Sequence, residues 1–521
     1  MKKNIITIAL LTLMTVGCTD LSETLYSKID SENFYQTEED IVRAMGPVYT
    51  QFREMMAWHS LWDAEATGDI SIVPTRVGGA WYDEGIFQRL HMHTWMIGDS
   101  QFDRWWGLLF TGVNNCNRVL YQIESFNVAL ANKDAMVAEI RLMRALWYQY
   151  LFEYFGNVPI VDRYDTPDGW LPETADRKDI FDFIEKEILE NMDKVTDDKK
   201  VSYGKMNKWV AKAVLARLYL NAEATVGINK YAEAIKVCDE IINSGNYLIN
   251  PVFEDNFIPD NENSEESIFA FPMSNKYKTD MYFYGEMTFI SGQNLRWDAI
   301  DYGGHNGVCV LHSFIDTYHP QDKRIDGSFL HGLQTDPRGN ELTARENGIQ
   351  VPMSYRKEVT SLTDAKELDG YRNGKYLPRI NQIGRFCDND YQCIRYAEIL
   401  FTKAECILRT GGDPEETAKL VNMVRERAFD TPNPVTGAEL AATITVNNVP
   451  VRYGRMLMEW GWEFATENLR RMQLIRFDNN YTKGSWPFHE ASLGEHLNLF
   501  PIPNPQLVAN PNLKQNPGYA N

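Results

Sequence analysis

Long apolar runs are scarce in this 521-residue chain. Past residue 17, no stretch approaches the roughly 18 to 20 uninterrupted apolar residues that a membrane-crossing helix requires, so no spanning segment is expected. Cysteine is sparse too: seven in all, without a single C-x-x-C pair, which excludes a dense disulfide framework and a cysteine zinc site of the usual spacing. Cys116, Cys238, Cys309, Cys387, Cys393 and Cys406 are expected mostly as buried free thiols. Basic charge is in deficit, 52 Lys and Arg against 72 Asp and Glu, for a formal −20. Nucleic acid is a poor partner for such a surface; neutral or basic ligands fit better.

Catalytic signatures are missing as well. Gly78-Gly79 and Gly303-Gly304 match neither a dinucleotide fingerprint nor a P-loop. The stretch HEASLGEH, 489 to 496, has two histidines and two glutamates but not the H-E-x-x-H spacing that sets both imidazoles on one helix face. His91 and His93 form an isolated H-x-H, a pattern met more often as satisfied side chains than as metal ligands. No metal or cofactor is expected. Paired carboxylates are harder to dismiss, since 72 acidic residues always contain pairs and a glycosidase needs only two. Nothing singles one pair out, and Arg455, Glu459 and Glu463 read as i,i+4 ion pairing on a helix.

What is present starts at the N-terminus. Lys2 and Lys3, then a short apolar core from Ile5 to Val16, read as an export signal over residues 1–17. Gly17-Cys18 follows in the order of a bacterial lipobox, with Thr15 where such boxes usually carry Leu. Cys18 is therefore expected to be acylated, a tether that holds stably once two or more chains are buried at about 0.8 kcal/mol per CH₂. Loss of Lys2 and Lys3 with the signal takes the formal charge to −22, 50 basic residues against 72 acidic.

The remainder alternates helical patterns with irregular stretches, which predicts a mainly α protein. Thr37-Glu38-Glu39-Asp40 opens a helix that Gly46-Pro47 is expected to bend or break. In EIRLMRALWYQYLFEYFG, Ile140, Met143, Trp147, Tyr150 and Tyr154 share one helical face, and Gly156 supplies the stop. NKWVAKAVLARLYLNAEA and KYAEAIKVCDEIINSG resemble a tetratricopeptide helix pair, with Ala211, Ala213, Ala216, Ala232 and Ala234 small enough for close approach. A second pair reads as CIRYAEILFTKAECILRTGG and DPEETAKLVNMVRERA, without a strict 34-residue register. Between about 250 and 390, Gly, Asn, Asp and aromatic residues replace helical periodicity, marking a loop-rich insertion.

Several stretches, taken in order, resemble the SusD/RagB family of outer-membrane glycan-binding lipoproteins. They are CTDLSE, RLMRALWYQYLFEYFGNVPIV, KWVAKAVLARLYLNAEA, IRYAEILFTKAE, RMLMEWGWEFATENLRRMQLIRF and the terminal LFPIPNPQLVANPNLKQNPGY, of which the last is the most specific. The resemblance implies one domain over 18–521: a scaffold of four tetratricopeptide-like helix pairs, a ligand site on the intervening loops, and no catalysis. It also implies an outward-facing lid on a SusC-like TonB-dependent transporter, with Asp20 and Glu23 part of the outward-export signal.

A sugar ring has apolar faces and polar edges, so its recognition calls for flat aromatic platforms beside hydrogen-bonding groups. Trp105, Trp106, Trp147, Trp209 and Trp460 lie in helical patterns and are expected in the core. Trp81 and Tyr82 in VGGAWYDEG, and Trp297 and Tyr302 in LRWDAIDYGGHNG, are the candidate platforms, with Trp95 and Trp486 behind them. Asp63, Asp69, Asp298 and Arg379 are the candidate hydrogen-bonding partners, and Cys309 closes the second loop. The net charge favours a neutral polymer such as a fructan or a plant hemicellulose. Two other readings stay open: a surface glycoside hydrolase, and a peptide-binding helical-repeat lipoprotein.

Overall fold

Thr37 and Asp40 cap the first helix reciprocally: the Asp40 N–H donates to Thr37 Oγ1 at 3.3 Å and the Thr37 N–H to Asp40 Oδ2 at 3.0 Å. In the computed structural model, which describes residues 37–56, 61–125, 130–277, 287–300, 302–384 and 386–520, this helix is α1, Glu38–Met56. The export signal and Cys18 lie outside the described residues. Contrary to expectation, α1 runs unbroken through Gly46-Pro47. Pro47 is exposed, so its ring and the missing N–H fall on the side of the helix that water can serve.

Further helices follow: α2 (Ile86–Met92), α3 (Ser100–Ser125), α4 (Lys133–Tyr154), α5 (Arg177–Asn191), α6 (Lys208–Val226) and α7 (Tyr231–Asn243). Beyond the insertion come α8 (Tyr396–Arg409), α9 (Pro414–Arg425), α10 (Gly454–Glu463) and α11 (Arg470–Arg476). Helices α1 and α3 to α9 pack in unbroken succession, each on the next, and so divide into four pairs. This is a mainly α, tetratricopeptide-like fold. Residues 244–395 loop out between α7 and α8, yet those two helices still pack on each other.

Local chemistry explains the helix ends. Asn207 caps α6 by accepting from the N–H groups of Trp209 and Val210, and Gly227 closes it at φ 69°. Asp413 caps α9 with Pro414 in the first turn, where its missing N–H costs nothing. Ala211, Ala213, Ala216 and Ala234 are buried between the helices as expected, but Ala232 faces solvent. Trp105, Trp106, Trp147 and Trp460 are core; Trp209 is half-buried, its indole N–H donating to the Asp197 carbonyl at 2.7 Å. The six cysteines among the described residues are free thiols, Cys393 half-buried and the others buried.

Only short strands occur among the described residues. Two of them, β1 (Ser71–Ile72) and β3 (Cys309–Val310), pair antiparallel. Strand β2 (Ser267–Phe271) pairs antiparallel with β4 (Tyr391–Arg395), joining the two ends of the insertion where it leaves the helices. The hairpin β5 (Thr443–Val446) and β6 (Val449–Arg452) precedes α10. Inside the insertion a small apolar cluster forms around Phe289, Trp297, Tyr302, Met353 and Tyr355, separate from the helical core.

The Arg455, Glu459, Glu463 ladder is structural. Glu459 pairs with Arg425 and Arg455, while Glu463 meets Arg324, Arg395 and Arg427 at 3.4, 3.0 and 2.6 Å. Burial alone would raise the Glu463 pKa, but Arg427, Arg395 and Arg324 outweigh it and hold the carboxyl well below the usual carboxylate range.

Candidate functional site

After β1 the chain makes a tight loop over residues 76–85. Arg76 N–H donates to the Ala80 carbonyl at 2.8 Å and Gly79 N–H to that of Arg76 at 2.9 Å, with Gly78 and Gly79 both at φ 87°. Trp81, Asp83 and Glu84 then adopt φ of 64°, 40° and 55°. Non-glycine residues avoid this region, and three within four residues is backbone strain of the kind that collects at ligand clamps. Neighbouring groups hold the strain in place. The Trp81 indole N–H donates to the His305 carbonyl at 2.6 Å, and its ring meets Phe87 edge-on at 5.5 Å. Gly307 lies against the same ring, where a Cβ would come within 2.5 Å of it. The result is a half-buried, immobilised indole beside the Tyr82 ring, which is 54% exposed.

Two buried arginines fix the loops beneath. Arg76 donates to the carbonyls of Asn306 at 2.9 Å, Gly307 at 3.2 Å, Lys366 at 2.9 Å and Asp369 at 3.1 Å. Arg372 donates to the Asp369 carbonyl at 2.8 Å, the Glu367 carbonyl at 2.8 Å and Asn306 Oδ1 at 2.7 Å. Together they join loops 76–81, 304–307 and 366–372. Burial, reinforced by the neighbouring Arg76 charge, pulls the Arg372 pKa down to about 10. Exposed around Trp81 and Tyr82 are His305 and Lys366, with the acids Asp83 and Glu84. Neither His305 nor Arg76 was singled out by sequence, although both flank glycine pairs, in TRVGG and GGHNG, a signal that could have found them.

The other candidates divide by burial. Trp297 and Tyr302 are 5% and 6% exposed, packed on Phe289 at ring separations of 5.0 and 6.1 Å, and offer no open face to a ligand. Trp95 and Trp486 are likewise buried. Asp63 is fully buried against Gln101, and burial pushes its carboxyl well above its ordinary value. Asp69 is buried in a two-pronged ion pair with Arg470, at 2.7 and 2.8 Å, which ties the start of β1 to α11. Cys309 is buried in β3 under Gly370, where a Cβ would meet its sulfur at 2.6 Å. These five sequence candidates (Trp297, Tyr302, Asp63, Asp69, Cys309) are packing groups, because the loops fold their apolar and charged anchors inward.

Asp298 and Arg379 remain near the surface but are engaged. Asp298 receives both prongs of Arg338 at 2.9 Å, and Arg379 pairs with Asp260 at 2.8 Å and Asp388 at 3.1 Å. None of these bonds reaches the Trp81 loop. The His91 ring nitrogens lie 3.3 and 2.9 Å from the carbonyls of Ala66 and Pro487, and His93 Nε2 lies 2.7 Å from that of Thr67, so the H-x-H pair is turned to backbone carbonyls. Among the described residues no group of three His, Cys, Asp or Glu is arranged to hold a metal.

Two family models cover most of the chain: the SusD family over residues 265–519, and "starch-binding associating with outer membrane" over residues 27–220. The chain belongs to the SusD family. Among SusD-family relatives, the starch-binding protein SusD of Bacteroides thetaiotaomicron is 25% identical over 452 residues, 77% of each chain. SusD-like protein P2 of Formosa agariphila is 23% identical over 556 aligned positions, 100% of each. Two SusD-family structures share the fold. A SusD-like protein from Bacteroides fragilis superposes with a TM-score of 0.71 at 19% identity, covering 94% of this chain and 99% of that one. Surface glycan-binding protein A from B. thetaiotaomicron, solved in complex with laminarihexaose, gives 0.70 at 18% identity, covering 92% and 100%.

Proposed function

We propose that this protein is a non-catalytic, cell-surface glycan-binding lipoprotein of the outer membrane. It takes up an oligosaccharide or polysaccharide on the Trp81–Tyr82 loop and delivers it to a SusC-like TonB-dependent transporter. The observation that carries the reading is the loop itself: an indole held in a strained backbone by a hydrogen bond, a glycine contact and two buried arginines, beside an exposed phenol. The names of the relatives, a starch-binding protein and a laminarihexaose complex, support the ligand class.

The energetics suit capture and release. Covering about 60 Å² of ring face at about 25 cal/mol per Å² contributes roughly 1.5 kcal/mol. Two such platforms with a few hydrogen bonds reach about −4 to −5 kcal/mol, a millimolar or somewhat tighter site. A pre-ordered indole adds no ordering cost on binding. Anchoring rests on Cys18 and the export signal, and the overall negative charge favours a neutral glycan.

Affinity electrophoresis through gels of starch, laminarin, fructan and hemicellulose tests the site. At least one neutral glycan should retard the wild type, and Trp81→Ala and Tyr82→Ala should each lose most of that retardation with unchanged circular dichroism. Full retardation of both variants would move the site elsewhere. New reducing ends on prolonged incubation would overturn the non-catalytic reading. Fatty-acid label should disappear in Cys18→Ser; label that persists would refute the anchor.

A further inference from the structure

A groove of about 910 Å³, lined by none of the candidate site residues above, opens between α1, the start of α4, the 195–206 connection and the end of β2. Its walls are soft and apolar: Met45, Met136, Met206, Met273, Phe271 and Pro272. Methionine, unbranched and polarisable, is the side chain best able to adapt to an apolar partner. The lips are Val42, Val201 and Tyr277, which are 48%, 71% and 72% exposed and so leave a continuous apolar margin open to water. The two tyrosines within are engaged by the protein itself. Tyr49 donates to Glu139 and accepts from the Met206 N–H at 3.0 Å, and Tyr203 donates to Asp390 at 2.6 Å.

The margin carries a charge of the minority sign. Arg53 and Lys205 line the groove in a chain of formal charge −20; the Lys205 charge also acts on the Glu139 carboxyl in the wall, which Tyr49 already covers. The N-terminal turn of α4, with Asn132, Ala135 and Met136, closes one end, and its dipole also favours negative charge. Along α1 the groove runs from Val42 to Arg53, which at 1.5 Å per residue is about 16 Å, three turns of a helix.

We infer that this groove docks an amphipathic helical segment of a partner protein whose apolar face is flanked by carboxylates. The apolar face would seat on the methionines, and the carboxylates would meet Arg53 and Lys205. The site is independent of the glycan loop, so the protein would hold sugar and protein partner at once.

Fluorescence anisotropy on the intact mature chain tests this with two labelled probe peptides. Both repeat one Leu and Met face at i, i+3, i+4 and i+7; one carries Glu on its margins and the other Lys. The Glu peptide should bind at least about tenfold more tightly than the Lys peptide. Val201→Asp should weaken the Glu peptide, and Arg53→Glu should reverse the preference, while both variants keep wild-type glycan retardation. Equal binding of both peptides, or no effect of Arg53→Glu, would overturn the inference. Two further results would also overturn it: sedimentation with phosphatidylglycerol vesicles that Val201→Asp abolishes, which would make the groove a lipid site, or a photo-crosslink from position 201 to residues 19–36 of the same chain.

Discussion

Most buried arginines of the scaffold are held by carboxylates, whereas the two beneath the Trp81 loop are held chiefly by carbonyls. In the scaffold and where the insertion joins it, Arg144 meets Glu187, Arg217 meets Glu398, Arg476 meets Glu405, Arg324 meets Asp322, and Arg395 meets Glu266, Glu463 and Glu467; Arg471 of α11 differs, donating to the carbonyls of Glu153 and Asn498. Beneath the Trp81 loop, Arg76 donates to carbonyls alone, and Arg372 to carbonyls and one side-chain amide. The difference follows from the backbone. A helix consumes its own carbonyls, so a guanidinium buried among helices needs an acid, or a helix end where carbonyls are free, as Arg471 finds at Glu153. Loops leave carbonyls unpaired, and one arginine with five donors can gather several from different segments. Charge pairing thus fixes the scaffold, while carbonyl gathering fixes the binding loop.

The largest disruption should come from the scaffold. Arg395→Met leaves Glu266, Glu463 and Glu467 facing each other with less cation, all buried. A loss on the order of 3–5 kcal/mol is expected, read as a fall in the urea midpoint. Arg76→Met should cost less globally, about 1–3 kcal/mol, because the loops it joins carry little of the helical core. Its signature is local: glycan retardation is lost and amide exchange quickens at 304–307 and 366–369, with the helical amides unchanged. Equal loss of protection in the helices would erase the distinction between scaffold and loop.

Acid should strike the junction between them. His91, His93 and His489 are buried together, with His93 and His489 rings 4.3 Å apart. Burial, and for His93 the neighbouring His489, lowers their pKa values; His489 is lowered to about 4. The unfolded chain takes up protons from about pH 6.5 downward while the folded one does not, so stability present above that pH should be lost between about 6.5 and 4. His489→Gln should flatten that limb of the melting-temperature profile. The smallest effect belongs to the exposed pairs: Arg379→Ala should leave the melting temperature unchanged within error, as solvent-screened ion pairs do.

Most of the scaffold was legible in the sequence because helices are local. Asn207, Gly227, Asp413 and Pro414 mark ends that need nothing from the rest of the chain. Even the terminal NPNLKQNPGY can be explained afterwards as a strap. Asn516 donates to the carbonyls of Phe155 at 2.7 Å and Phe500 at 2.9 Å, and Tyr519 to that of Leu499 at 2.6 Å, which ties the chain end to the exit of α4. The site was less legible. Composition chose Trp81, Tyr82, Trp297 and Tyr302 with equal weight, but whether a loop aromatic turns inward depends on partners far away in sequence. Trp297 joins an apolar cluster with Met353 and Tyr355, more than fifty positions on, as well as nearby Phe289, whereas Trp81 was held near the surface by His305 and Gly307.

The sequence by itself determined the helical scaffold, its caps, the lack of any long apolar span past residue 17, and the family. Those follow from periodicity, local hydrogen bonding and motif. Only the tertiary structure decided which rings face outward, which acids are buried ion pairs, and that Arg76 and Arg372 join three loops beneath one indole. Each of these depends on contacts between residues a hundred or more positions apart or on the packing of irregular backbone, and no local pattern encodes them.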